Sequence, residues 1–482
     1  MKGKCGLIRR LAASLVAALT IAGCSVGPDY VRHLVDTPAA YKKGKGAAWK
    51  VAQPRDDARR GDWWSLFADA RLDDLVRQVS VSNQTLLASE AQFRQATALM
   101  QGARAAWFPS LTGGLSETRS RPSATTGPVV GVSTSKRTIF SAPLNLSWEA
   151  DLWGRIGRTV EAGEAGAQAS AADLENVRLS LQATLALNYF QLRALDAQIR
   201  LLESTVEAYT RSLELTTNRY RVGVVARSDV AQALTQLKST QVQALDLSVS
   251  RAQLEHAIAV LLGKAPAEFS IEASPLAGLP PAVPVGLPAE LLERRPDIAA
   301  AERMVAAANA QIGVAAAAFY PAATLSAAYG VQSATTAQWF TLPSRFWSVG
   351  PALAMTLFDG GRRRAASNQA IAAYDATVAN YRATVLTGFR EVEDNLVALK
   401  VLEEESELQA AAVRAAEESL GHALNQYKAG TVTYLQVVTA QATALANQRA
   451  AADILGRRMS SSVQLVKALG GGWEPAAPQS RR

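Results

Sequence analysis

Leu144-Asn145-Leu146-Ser147-Trp148-Glu149-Ala150-Asp151-Leu152 alternates strictly between apolar and polar or acidic residues, and Gly154-Arg155 follows directly. From Gly163 to Asn218 there is then no proline, and Leu192, Leu195, Ile199, Leu202, Val206, Tyr209 and Leu213 recur at a 3,4 spacing. Period-two alternation is the pattern of a strand between two unlike environments, and the 3,4 spacing is that of a coiled-coil seam. A soluble half-buried strand alternates in the same way, so the strand becomes informative only with the helix it feeds. That helix is long: about 56 residues rise roughly 84 Å, more than an ordinary globular domain uses.

Working outward, Leu111 to Arg119 supplies an antiparallel partner across a polar loop from Ser120 to Lys136. An Ala-rich stretch from Leu72 to Trp107 reads as a helix that exits at Pro109. Beyond the long helix, a turn at Tyr220 to Ala226 leads into a return helix from Ser228 to Leu262.

The whole unit recurs. Asn83 to Pro109 pairs without a gap with Arg295 to Pro321, and Gly154-Arg155, Asn188, Tyr220 and Gly223 pair with Gly361-Arg362, Asn395, Tyr427 and Gly430. The second copy has strands at Thr324 to Val331 and Ser348 to Phe358, with Leu353, Met355 and Leu357 on one face, and a return helix from Leu435 to Leu469. Its seam keeps Leu399, Leu402, Val413 and Leu420, but Ser406 and Gln409 interrupt it. The expected organisation is a leader at 1–23, an N-terminal segment at 24–68, and a first unit at 69–263 with a strand pair at 110–152 and a hairpin at 155–262. A Pro-rich connector at 264–288 leads to a second unit at 289–470 with a strand pair at 323–358 and a hairpin at 362–469, and a tail at 471–482 ends the chain. Four strands are too few to close a barrel and leave two edges, so a membrane-spanning version must oligomerise. The fold class is therefore mixed α/β, with short strands and very long helices, and with eight strands in a dimer or twelve in a trimer.

Composition narrows the function. The 482 residues are 49% hydrophobic and 19% charged, enough for a packed core, and a mean hydropathy of +0.02 argues against a polytopic helical membrane protein. The net charge of +8 looks basic, but Lys2, Lys4, Arg9 and Arg10 belong to a leader, which leaves +4 and removes the main support for a nucleic-acid partner. That leader has an apolar run from Leu11 to Ile21 and closes on Ile21-Ala22-Gly23-Cys24, a bacterial lipobox. Cys24 is the expected carrier of a diacylglyceryl group and an N-acyl chain, and with Cys5 discarded no internal disulfide can form. Ser25 in place of Asp favours the outer membrane. His33, His256 and His422 are far apart, and neither a metal constellation nor a catalytic motif appears, so no enzyme, metal or other cofactor is expected. Arg362-Arg363-Arg364, at a strand end, suits a membrane edge or tunnel junction.

Cys24-Ser25-Val26-Gly27-Pro28-Asp29-Tyr30, Trp63-Trp64 with Phe67, Asp69, Leu72 and Leu75, Leu292-Glu293-Arg294-Arg295-Pro296-Asp297, and Tyr427-Lys428-Ala429-Gly430 together resemble the lipoprotein branch of the TolC-type outer membrane factors, the NodT-like efflux channels. His33 and Ala70 stand where that pattern often has proline. The resemblance implies a homotrimer whose three chains build one twelve-stranded outer-membrane β-barrel, continued by a twelve-helix periplasmic tunnel. It implies as partners a periplasmic adaptor protein, an inner-membrane efflux transporter and outer-membrane lipid, in a Gram-negative bacterium.

Gly223 and Gly430 sit where helical hairpins reverse, positions that call for positive φ or close backbone approach. The resemblance makes Val222, Gly223, Val224, Ala429, Gly430 and Thr431 adaptor-contacting tips. It also makes Asp229 and Tyr427 candidate latch partners of a periplasmic gate, with Gln436 and Thr439 where relatives often carry acidic rings and Val432 where some carry a base. A solvated carboxylate at a helix start accounts equally well for Asp229. The expected function is the exit duct of a tripartite efflux system. A duct for type I protein secretion and a lipid-anchored periplasmic scaffold without a pore are the alternatives.

Overall fold

The computed structural model describes residues 25–32, 35, 38, 61–121, 123, 135–276, 278–281 and 294–471. The leader, Cys24, His33, Leu292, Glu293, most of the loop after Ser120, parts of the connector and the tail from Gly472 lie outside them. The chain divides into two compact units: residues 1–34, 93–170 and 301–381 form the first, and residues 35–92, 171–300 and 382–482 the second.

The first unit holds the sheet. Its strands are β1 (Ser110–Gly113), β2 (Ser116–Ser120), β3 (Arg137–Ala150), β4 (Ala322–Ser333) and β5 (Arg345–Ala354), all antiparallel, with β3 and β4 central. β1 and β2 continue one register along β3, so they are two pieces of a single line. The break falls at Gly114, which donates to the carbonyl of Pro143 over 3.1 Å. Proline has no N–H to return, so the ladder cannot close there. Opposite Pro143 on the other side stands Gly330, where a Cβ would come within 2.5 Å of the Ala142 carbonyl oxygen.

Two strand expectations need correction. β3 begins at Arg137, where the expected loop ends, but it stops at Ala150 rather than Leu152 because the Asp151 carboxylate caps the next helix, accepting from the backbone of Ile156 at 2.9 Å and Gly157 at 2.7 Å. β5 likewise stops at Ala354, so Met355 and Leu357 are not strand residues. Asp359 instead accepts from the backbone of Gly361 and Arg363 at the start of the next helix, and the Arg363 guanidinium holds its carboxyl below the usual range.

The second unit is helical. α1 (Ala70–Ser82) is capped by Asp69 and buries Leu72, Leu75, Val76 and Val79, the i, i+3, i+4, i+7 stripe of an amphipathic helix. Trp63, Trp64, Tyr189, Phe190, Ile258 and Met459 share its core. After α1, α2 (Gln84–Ala105) leads back to the sheet, and α5 (Pro296–Ala317) does so in the second half. The long elements are α3 (Arg155–Arg221, 67 residues) with α4 (Arg227–Leu261, 35 residues), and α6 (Arg362–Ala429, 68 residues) with α7 (Tyr434–Ala468, 35 residues), with residues 155–170 of α3 and 362–381 of α6 counted in the first unit. Every residue of the 3,4 seam on α3 is buried or half-buried. On α6 the polar interruptions are bonded to α7: Gln409 donates to Asn447 at 2.9 Å, and Arg458 donates to Ser406 at 3.3 Å. Sequence left open which helix this seam faces; these bonds turn it toward α7.

Among the described residues no helix is long and apolar enough to cross a membrane.

Candidate functional site

The sheet is chemically two-sided. Pairing register puts Phe140, Leu144, Leu146 and Trp148 of β3 on the same face as Leu325 and Tyr329 of β4, Trp347, Val349 and Leu353 of β5, and Leu111 of β1. Ser141, Asn145, Ser147 and Glu149 share the other with Thr324, Ser326, Gln332, Ser348 and Thr112. The apolar face lies open: Leu144 is 48% exposed and Trp347 75%. Trp148 donates its indole N–H to the Trp107 carbonyl at 3.0 Å, and Trp153 stacks on Tyr320 and donates to the Pro321 carbonyl at 2.7 Å, so aromatics gather at the helical end of the strands.

The segment after Cys24 is fastened to this end. Val26 donates to the Trp153 carbonyl at 3.1 Å, Asp29 pairs with Arg158 at 2.7 Å, Asn309 donates to the Pro28 carbonyl at 2.9 Å, and Tyr30 donates to Glu302 at 2.6 Å. Gly27 has φ +100° and lies so close to Gly313 that a Cβ would meet its Cα at 2.5 Å. Burial and the Glu302 carboxylate push the Tyr30 hydroxyl far up, so it stays a donor.

In the second unit the hairpin turns are near-copies. Gly223 donates to the Tyr220 carbonyl and Val224 to that of Arg219; Gly430 donates to the Tyr427 carbonyl and Thr431 to that of Gln426. This bond pair is the Schellman cap, which needs a left-handed residue. Gly223 and Gly430 supply it at φ +76° and +80°. A Cβ on Gly223 would meet nothing within 4 Å and one on Gly430 only Arg219 at 3.8 Å, so positive φ, not close approach, is why these are glycines. Val222 and Val224 are solvent-exposed.

Within one chain the hydroxyl of Tyr427 and the carboxylate of Asp229 are not hydrogen-bonded to each other. Tyr427 is buried among Ala233, Tyr434 and Val437 and turns its hydroxyl to Thr216 at 3.5 Å, not to Asp229. Asp229 sits in the first turn of α4, where its own N–H donates to Ala226. Gln436 and Thr439 are exposed on α7, and Thr439 bonds back to the Leu435 carbonyl. Arg219 was not singled out in the sequence, yet it donates to the Tyr427 carbonyl at 2.5 Å and lies over the Tyr427 ring at 4.7 Å. No spacing rule separates it from Arg221, two residues on. His256 and His422 are exposed on different helices, and no group of three metal-ligating side chains occurs among the described residues.

A sheet with one lipid-compatible and one polar face, on the same chain as two very long helical hairpins, defines an outer-membrane channel protein. The profile of the outer membrane efflux protein family matches residues 75–264 and 287–471. The chain is 32% identical over 476 residues to the toluene efflux pump outer membrane protein TtgF of Pseudomonas putida, covering 97% of this chain and 98% of that one. It is also 32% identical over 468 residues to the outer membrane protein OprJ of Pseudomonas aeruginosa, covering 96% of each. The solved outer-membrane channel OprN superposes with a TM-score of 0.85 at 31% identity, covering 94% of this chain and all of that one. The chain belongs to the outer membrane efflux protein family: an outer-membrane transport protein of Gram-negative type rather than an enzyme.

Proposed function

We propose that three copies of this chain form one exit duct, with the apolar sheet faces toward lipid and the polar faces toward a water-filled lumen. The observation that carries this is the two-sided sheet with two unpaired edges, the β1/β2 line and β5. A membrane-spanning strand needs about 9–11 residues. β3 has 14, β4 has 12, β5 has 10, and the β1/β2 line runs from Ser110 to Ser120. Edges cannot face lipid unpaired, so the lines must close with those of other copies, twelve in a trimer. The helices of each half start at a constant offset, Arg155 and Arg227 against Arg362 and Tyr434, which supports two internal repeats.

Cys24 would carry the lipid anchor. Ser25 packs against Gly154, just beyond the end of β3, which suits an anchor at the membrane edge. The helical hairpins would extend into the periplasm and meet an adaptor protein there, with an inner-membrane transporter supplying energy. TtgF is named for toluene efflux, which favours small organic compounds over exported proteins as cargo.

Single-channel recording of purified protein in a planar bilayer tests the duct, and its cross-linked mass tests the trimer. Stable conductance from a three-chain species is the expected result; absence of conductance would leave the scaffold reading. For the tips, Gly223→Val or Gly430→Val forces a β-branched residue to positive φ, a strain of order 1–3 kcal/mol confined to the turn. Both are expected to abolish adaptor-dependent efflux at normal trimer yield, measured as drug accumulation in cells. Unaltered efflux in both would remove the tips from adaptor contact.

A further inference from the structure

We infer that the outer end of the sheet carries a seat for lipopolysaccharide, the phosphorylated glycolipid of the outer leaflet, with Arg345 and Arg119 as its phosphate-binding residues; this rests on the exit-duct reading. That reading puts the helices in the periplasm, so the strand ends away from them meet the outer surface. The segments at that end, 115–140 and 330–350, hold five cations, Arg119, Arg121, Lys136, Arg137 and Arg345, against one carboxylate, Glu117. Their net +4 is as large as the excess of the whole chain without its leader.

Register decides which of these cations face lipid. Val331 of β4 lies between Ala142 of β3 and Arg345 of β5, so Arg345 continues the apolar face two positions beyond Trp347. Arg119 pairs with Thr138, two residues before Phe140, and stands on the same face. Arg137 alternates to the polar face. Arg119 and Arg345 are exposed, and neither has an ion-pair partner among the described residues. Glu117, opposite Phe140, is the single carboxylate on this face at the outer end, against two cations. An arginine on a lipid-facing surface is tolerated near the interface, where its stem lies on apolar surface and its head reaches the headgroups. There its planar fork binds a phosphate through two N–H groups at once.

The loop between β4 and β5 supplies the apolar half of the seat. Its two short helical turns, Thr336–Gln338 and Leu342–Ser344, are tied by the Gln338 carbonyl, which accepts from the hydroxyls of Thr341 at 2.7 Å and Ser344 at 2.6 Å. Trp339 rests on Phe140 with ring centroids 5.5 Å apart, so the loop leans to the apolar side of the sheet rather than across the polar one. Phe340 and Leu342 are 73% and 70% exposed, too open for a core and suited to acyl chains. Arg345 follows directly on this loop. A ligand that satisfies both parts joins phosphate to hydrocarbon, as a lipid does and a free anion does not. Closing the ring sets β5 of one copy beside the β1/β2 line of the next. Arg345 and Arg119, on opposite edges of one sheet but on the same face, then come to one seam. Two forks at each seam match a headgroup with more than one phosphate, which favours the glycolipid over a phospholipid with one.

The test is binding of fluorophore-labelled deep-rough lipopolysaccharide to purified trimers in detergent, at about 150 mM salt so that attraction between distant charges is screened. Arg345→Gln is expected to weaken binding about tenfold, and Arg345→Gln with Arg119→Gln about a hundredfold. Arg345→Lys keeps the charge without the fork and is expected to weaken it about threefold. Arg137→Gln, on the polar face, is expected to bind as wild type does. Lipopolysaccharide stripped of its phosphates is expected to bind wild type no better than the intact lipid binds the double variant, and phosphatidylglycerol about tenfold more weakly than the intact lipid. Unchanged binding in Arg345→Gln overturns the seat, and so does an equal loss in Arg137→Gln, which would reduce it to diffuse attraction. Equal affinity for phosphatidylglycerol overturns the choice of the glycolipid. If Arg345→Gln yields no trimer, Arg345→Lys decides. Wild-type protein that forms no trimer overturns the exit-duct reading and the seat with it, whereas a trimer indifferent to lipopolysaccharide overturns the seat alone.

Discussion

Asp196→Ala is expected to destabilise the helical unit by about 3–5 kcal/mol, the cost of breaking a buried ion pair by removing one partner. The Asp196 side chain is 2% exposed and takes three bonds: from Arg251 at 2.7 Å, from Arg193 at 3.1 Å and from the Ser274 backbone at 3.0 Å. Both arginines also grip the connector, Arg193 through the Glu272 carbonyl at 2.6 Å and Arg251 through that of Ile271 at 2.7 Å. Glu255 completes the ring by accepting from Ile271 N–H at 2.7 Å. Removing Asp196 therefore strands the Arg193 guanidinium, leaves Arg251 with Glu255 alone at 2.9 Å, and frees a segment that Ile271 anchors in the core. Melting of purified protein followed by circular dichroism is expected to show a large downward shift, and limited proteolysis to show cleavage between Pro266 and Leu276. A melt equal to wild type would mean that burial of Ile271 and Leu276 alone holds the connector.

None of this network was legible in the sequence, where the connector reads only as Pro- and Gly-rich chain. Asp196 meets Arg193 within one helical turn, but Arg251 and Ser274 reach it across 55 and 78 residues, and periodicity carries no information on such pairs. The strands and long helices were legible because their rules are local: period two in Leu144 to Ala150, the 3,4 seam from Leu192 to Leu213. Local rules also explain the boundary errors. Asp151 continues the alternation of β3 and at the same time suits a helix cap; capping won because Ile156 and Gly157 have backbone N–H groups that nothing else in the first turn satisfies. At the tip the two glycines could be read from the turn pattern, whereas the partner of Tyr427 could not. A tyrosine hydroxyl admits many partners, and which one faces it depends on how two hairpins pack.

The sharpest separation between a channel and a helical scaffold comes from Leu144 and its neighbour. Leu144 is central in β3, with Phe140 four residues before it and Trp148 four residues after it on the same face, and Tyr329 of β4 across from it. If that face meets the hydrocarbon, Leu144→Arg places a charge near the bilayer midplane in every copy, at about 2–4 kcal/mol each, or roughly 6–12 kcal/mol for a trimer. Loss of the outer-membrane fraction is then expected, with the protein in the periplasm or degraded. Asn145→Arg, one residue on, puts the same charge on the polar face, where water solvates it, and is expected to insert normally. A soluble sheet predicts neither effect, because Leu144 is already 48% exposed and an arginine there would be a surface residue. Fractionation and heat-modifiability of both variants read the difference directly. Equal insertion of the two would sink the lipid-facing assignment of the sheet, and loss of Asn145→Arg alone would reverse its faces.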